Sequence, residues 1–144
     1  MATEKTITIN IERNGQQQPV EVAMRYCAAS ETGYESLSGQ SSDIFLPVRQ
    51  EGEDGKTEFL APKATTEDYI RLAIASIVAA YARRGEEPPI TAEDILYDAP
   101  PEDIRLLLRT VGELRNEWYK VSSVVKDEMQ QDDQDQKADD SKND

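Results

Sequence analysis

The sequence predicts an α+β fold, mostly α-helical: an N-terminal β-hairpin, a bundle of about four helices and a disordered acidic C-terminal tail. Three observations carry this. Two segments of alternating apolar and polar residues flank Asn14-Gly15. Apolar residues recur every three or four positions between 69 and 125. Residues 127–144 hold eight acids against two lysines and show no periodicity. A chain of 144 residues is the length of one domain, read here as 1–126 with the tail 127–144 appended.

In "TITINIE" (6–12), Ile7, Ile9 and Ile11 fall on one side of a strand. In "PVEVAM" (19–24), Val20, Val22 and Met24 do the same. Asn14-Gly15 between them is a strong signal for a two-residue hairpin turn. A lone hairpin is marginal in water, so it must lie on helices or gain strands from a neighbour.

"YCAASETGYESLSGQSSDIF" (26–45) follows, and contains the chain's single cysteine. Cys27, Tyr34 and Leu37 recur near helical spacing, and Gly39 suits the position just past a helix C-terminus. A short helix starting at Ser41 or Ser42 carries Ile44, Phe45 and Leu46, and Pro47 ends it. Residues 48–64 form either a long loop or a small hairpin turning at Asp54-Gly55.

Thr65 and Asp68 make an approximate capping box for the next helix. Its stripe is Tyr69, Leu72, Ala73, Ile77, Ala80 and Tyr81, widened by Ile70, Ile74 and Val78, so it is expected to be central. Arg83 and Arg84 suit its C-terminal dipole and Gly85 stops it. Thr91 and Asp94 repeat the cap signal before a short helix through Tyr97. Pro100 and Pro101 start the last helix, with Ile104, Leu107, Leu108, Val111, Leu114, Trp118, Val121 and Val125 as its stripe, to about residue 126.

The formal charge of −13 repels phosphates and anionic lipid surfaces, so neither nucleic acid nor membrane is expected as a partner. The N-terminus is polar and no apolar run is long enough to span a bilayer, which predicts neither a signal peptide nor an anchor. One cysteine makes no internal disulfide, compatible with a reducing cytoplasm. There is no histidine, the commonest general base and metal ligand.

Each candidate for chemistry has a plainer reading. A catalytic thiol needs a histidine, a cation or a helix N-terminus beside it; Cys27 reads instead as a small core residue on a helix face. Glu31 and Glu35, one turn apart, read as a solvated helix face. "EGEDGKTE" (51–58) matches neither a calcium loop nor a phosphate loop. No catalytic, cofactor-binding or metal-ligating residue is therefore assigned, and no enzyme is expected. Trp118 fits the core stripe, whereas Tyr119 lies about 100° from it and, with Arg115, suits an interface.

The order of parts resembles the tail assembly chaperones of long-tailed phages and prophages. In that family an N-terminal strand pair precedes a helix of the form "(F/Y)xxxAxxxFExxTGxSxxDF". "MRYCAASETGYESLSGQSSDIF" (24–45) is similar: Tyr34-Glu35 matches the aromatic–acid pair, Ser38-Gly39-Gln40-Ser41 the turn, and Asp43 to Phe45 the segment after it. "DYIRLAIASIVAAYARRGEEPPITAEDILYDAP" (68–100) resembles the family's central helix, polar linker and threonine-capped helix, and "PEDIRLLLRTVGELRNEW" its last helix. The resemblance covers about residues 6 to 122; the segment 48–64 departs from the pattern.

The resemblance implies a non-enzymatic protein that coats the long, helix-rich tape measure protein, keeps it soluble, helps recruit tail tube subunits and is absent from the finished virion. A longer frameshifted form often accompanies the short one. Tape measure and tail tube proteins are the implied partners and a homo-oligomer is expected, its edge strands supplied by the hairpin. Tyr26, Tyr34, Arg115, Trp118 and Tyr119 are the expected contact residues. The rival readings are an acidic DNA mimic, motivated by the charge, and a minor structural protein of the tail or its connector.

Overall fold

The N-terminal hairpin forms as the alternation predicts. In the computed structural model β1 (Thr3–Arg13) pairs antiparallel with β2 (Gln16–Tyr26), with Ile7 opposite Val22 and Ile9 opposite Val20. Asn14 and Gly15 both have positive φ, 56° and 75°, which the tight hairpin turn requires. The structure describes the backbone of residues 3–142 and side chains as far as Val121.

Helix α1 (Ala28–Ser38) follows at once, and Gly39 closes it in the left-handed conformation at φ 70°. A single 3₁₀ turn (Ser42–Phe45) then drives Phe45 into the core. The segment left open between loop and hairpin is a hairpin: β3 (Val48–Glu51) pairs with β4 (Thr57–Leu60) around a turn that includes Asp54-Gly55. Helix α2 (Thr66–Arg84) starts with the predicted box: the Asp68 amide donates to Thr65 Oγ1 (3.2 Å) and the Thr65 amide to Asp68 Oδ2 (2.8 Å). Thr91 and Asp94 exchange the same two bonds, at 2.9 and 3.2 Å, before one π-type turn (Asp94–Asp98).

Helix α3 (Pro101–Lys142) begins at the second of the two prolines expected to start it. The expectations that this helix ends near residue 126 and that 127–144 is a disordered tail fall on residues whose side chains lie outside the described ones.

Helix α2 is the centre of the molecule. Ile70, Leu72, Ala73, Ile74, Ala75, Ser76, Ile77, Ala79, Ala80 and Tyr81 are all buried. The hairpin covers it with Ile9, Ile11, Val22, Met24 and Tyr26, and α3 with Leu107, Val111 and Leu114. Helix α1 packs on a third side, where backbones come close: a Cβ added at Gly33 would lie 3.2 Å from Ala75 Cβ. The hydroxyl of Tyr81 accepts the Ala23 amide (3.0 Å), tying the end of α2 to the hairpin.

Two of the expected core positions are elsewhere. Cys27 is half-buried at the residue before α1, in extended backbone at φ −160°. Its amide donates to Ser30 Oγ (3.2 Å), which itself donates to the Arg25 carbonyl (2.9 Å), so the helix starts one residue after it. Leu37, on α1 itself, points to solvent.

Asp68 is buried and also accepts the Tyr34 hydroxyl at 2.9 Å. The Thr65 amide, foremost among its hydrogen-bond donors, holds its carboxyl below the usual carboxylate range, and the Thr91 amide does so for Asp94. A folded-state pKa below the unfolded one stabilises the fold at every pH above the unfolded value and is lost as pH falls through the folded one. We expect the melting temperature to hold from neutral pH towards the carboxylate range and to drop below it. Asp68→Asn is expected to lower the melting temperature at pH 7 by several degrees and to shrink that acid-side drop, as read by thermal circular dichroism across pH.

Candidate functional site

The five residues singled out in sequence converge on one aromatic layer between α1, the 3₁₀ turn and α3. The Tyr26 and Trp118 ring centroids are 5.6 Å apart, and those of Trp118 and Tyr119 4.9 Å. The Arg115 guanidinium lies 4.6 Å from the Tyr119 ring centroid and 5.9 Å from that of Phe45. Phe45 continues the layer to Tyr34 (4.7 Å) and Tyr69 (5.1 Å).

Burial divides the five. Tyr26 and Tyr34 have no exposed surface, so neither is a contact residue; this corrects the expectation for both. Tyr26 ends β2 facing the core, and Tyr34 is on the inward face of α1, while Leu37, one turn on, is exposed at its edge. Tyr119 remains exposed, and Arg115 and Trp118 are half-buried.

Glu31, half-buried, is the polar centre of the layer. Its carboxylate accepts the Tyr26 hydroxyl (3.2 Å) and the Tyr119 hydroxyl, joining β2, α1 and α3. Glu35 accepts the Ser42 amide (2.9 Å) and fixes the 3₁₀ turn. Burial, and after it Glu31, pushes Tyr119 up to about 12 and Tyr26 further up, so both remain donors at neutral pH. Arg115 Nε and Nη2 are buried with no hydrogen-bond partner among the described residues; its charge is met by the two ring faces. The layer holds β2, α1 and α3 together through Glu31.

Beside the layer, Leu46, Pro47, Arg115 and Tyr119 line an open cleft of about 660 Å³, and further apolar surface stays open along α2. Two cavities of about 340 and 250 Å³ share Ile74 and Val78. The smaller lies between α1 and α2, over Ala29, Gly33, Leu37, Ala75, Ala79 and Ala82. The larger lies between α2 and the segment Glu87–Ile95, over Ile77, Pro88, Ile90 and Ala92. Leu37 is 56% exposed and Val78 48%, and Leu96 and Tyr97 are exposed just beyond Ile95. Leu37, Val78, Leu96 and Tyr97 thus give this side of the molecule an exposed apolar rim.

No family model, no curated protein and no solved structure matches this chain. Among the described residues no three acidic or cysteine side chains are grouped to hold a metal ion, and no helix is long and apolar enough to cross a membrane.

Sequence reasoning placed Leu37 and Val78 in the core and so missed this surface. The signal was present in the spacing: Ala29, Gly33 and Leu37 are four apart on α1, and Ala75, Ala79 and Ala82 form the matching stripe on α2. Small residues bring the two helices together, so the larger neighbours Leu37 and Val78 remain at the rim.

Removing the Glu31 charge is expected to change how Tyr119 titrates. In Glu31→Gln, the absorbance of tyrosinate should show Tyr119 and Tyr26 both titrating lower than in the unaltered protein yet still above the ordinary tyrosine value, because burial comes first among the causes for each. A titration identical to that of the unaltered protein would mean that Glu31 does not hold these hydroxyls.

Proposed function

We propose that this chain is a non-enzymatic tail assembly chaperone of a long-tailed phage or prophage, which binds the tape measure protein in the host cytoplasm, helps recruit tail tube subunits and is absent from the finished virion. The observation that carries the reading is the uncovered apolar surface along α2, with Leu37 and Val78 at its rim, on a chain of net charge −13. An amphipathic client helix lays its apolar side into such a groove, and the acidic remainder of the chaperone keeps the complex in solution. The order hairpin, helix, 3₁₀ turn, central helix and last helix supports the same reading, because the residues that resemble the family fall on these elements in turn.

Two features bear on how it would work. The cavities are open and shallow and lined by small and aliphatic side chains, which suits many similar helices better than one shaped ligand. The aromatic layer holds α1 and α3 rigidly behind the groove, so the surface is present before the client arrives.

Co-expression with a long, helix-rich tape measure protein tests the proposal. The client is expected to be soluble and to co-purify with several copies of this chain. Leu37→Asp and Val78→Asp change exposed residues, so each variant should melt like the unaltered protein yet leave the client insoluble. A client kept soluble by both variants, or insoluble with the unaltered chain, overturns the reading.

A further inference from the structure

The two hairpins treat their edges differently. In the N-terminal hairpin, outward-facing backbone groups are occupied on both strands. The Asn10 amide donates to Asp103 Oδ2 (3.1 Å), the Ala23 amide to the Tyr81 hydroxyl (3.0 Å), and Pro19 has no N–H to offer. A strand added across Asn10 or Ala23 has to break one of these bonds.

The β3–β4 hairpin has no such protection. Among the described residues no third strand joins it, and seven of its eight strand residues are exposed, Phe59 at 70%. A two-stranded ribbon without a face to bury is marginal alone; three or more strands are the stable unit. Gly52 donates its amide to the Lys56 carbonyl (2.8 Å), which makes that pair the hydrogen-bonded one. Counting back along β3, Gln50 faces into the ribbon, whereas the backbone groups of Arg49 and Glu51 point outward, free to pair.

We propose that β3 pairs antiparallel with β3 of a second copy of this chain about a two-fold axis at Gln50, giving one four-stranded sheet. In this register Arg49 is opposite Glu51 of the second copy, and Glu51 is opposite its Arg49. The outward backbone groups of these residues then exchange the ladder bonds, and two opposite charges meet on the same face at each crossing. The strand Arg49-Gln50-Glu51 is complementary in charge to its own reverse, which is the property a two-fold interface demands. Phe59 is the partner of Arg49 across the ribbon and is 70% exposed.

Charge reversal on the full chain tests the register. Arg49→Glu or Glu51→Arg alone places like charges at both crossings, and symmetry doubles each contact. Sedimentation velocity over a concentration series should then show dimer affinity weakened by about tenfold or more. The double variant restores opposite charges and should restore the dimer. In a Cys27→Ser background, Gln50→Cys should form an intermolecular disulfide under mild oxidation, because residues at such non-hydrogen-bonded positions have Cα atoms only about 4.5 Å apart. A chain that stays monomeric at all concentrations overturns the proposal. So does a dimer indifferent to both reversals, or single variants that the double change does not rescue. The proposal stands apart from the chaperone reading: a client bound by a chain that never dimerises removes the dimer alone.

Discussion

The fold depends on covering α2. That helix has ten buried residues in its run from Ile70 to Tyr81, on nearly every side, and too little polar surface to face water alone. Three partners enclose it between them, the N-terminal hairpin, α1 and α3. A hairpin supplies a flat apolar face, and α3 an apolar stripe. The narrow third side accepts α1 only because Gly33 meets Ala75 without a side chain between them. Any larger residue at Gly33 pushes α1 outward, and with it the Tyr34–Asp68 bond that locks α1 to the first turn of α2. The strip of α2 that remains, around Val78, is uncovered because no element of the described chain is left to cover it.

Polar bonds determine how those partners are oriented. Burying two apolar faces together is non-directional and tolerates sliding, whereas a hydroxyl aimed at a carboxylate does not. Asp68 and Glu31 each act in this way. The first receives Tyr34 and closes the cap of α2; the second receives Tyr26 and Tyr119 and binds strand, first helix and last helix at one point. Arg115 completes the second group without a hydrogen bond to Nε or Nη2 among the described residues, which is tolerable where two aromatic faces flank the charge. The rigidity of the α1–α2 groove follows from these contacts.

Much of this is legible in the sequence because it is local. The turn at Asn14-Gly15, both threonine–aspartate caps, the stop glycines 39 and 85 and the start of α3 at Pro101 are each decided within four residues. What sequence reasoning misreads is decided over longer distances. Glu31 meets Tyr119 across 88 positions, so no periodicity reveals that it is a hub. Tyr26 and Tyr34 carry the aromatic signature of an interface and are instead core, since composition does not say which side of an element is covered. Leu37 and Val78 fail in the opposite sense. A helical stripe fixes direction, and only the positions of neighbouring elements decide whether that direction ends in protein or in water.

The same reasoning explains why the two hairpins differ. A strand edge is a row of unpaired donors and acceptors, and a protein that must not aggregate occupies it or breaks it. Asp103 and Tyr81 occupy the edges of the first hairpin, using side chains from the helices that cover its face, and Pro19 breaks one of them. Among the described residues, the side-chain bonds that occupy the first hairpin's edges have no counterpart on the second. Its protection is its own charge pattern. Arg49 and Glu51 discourage pairing with a strand of arbitrary sequence, because each outward position carries a charge to be matched. The one strand certain to match both charges in antiparallel order is the same strand in another copy. An edge guarded in this way is closed to most partners and open to itself.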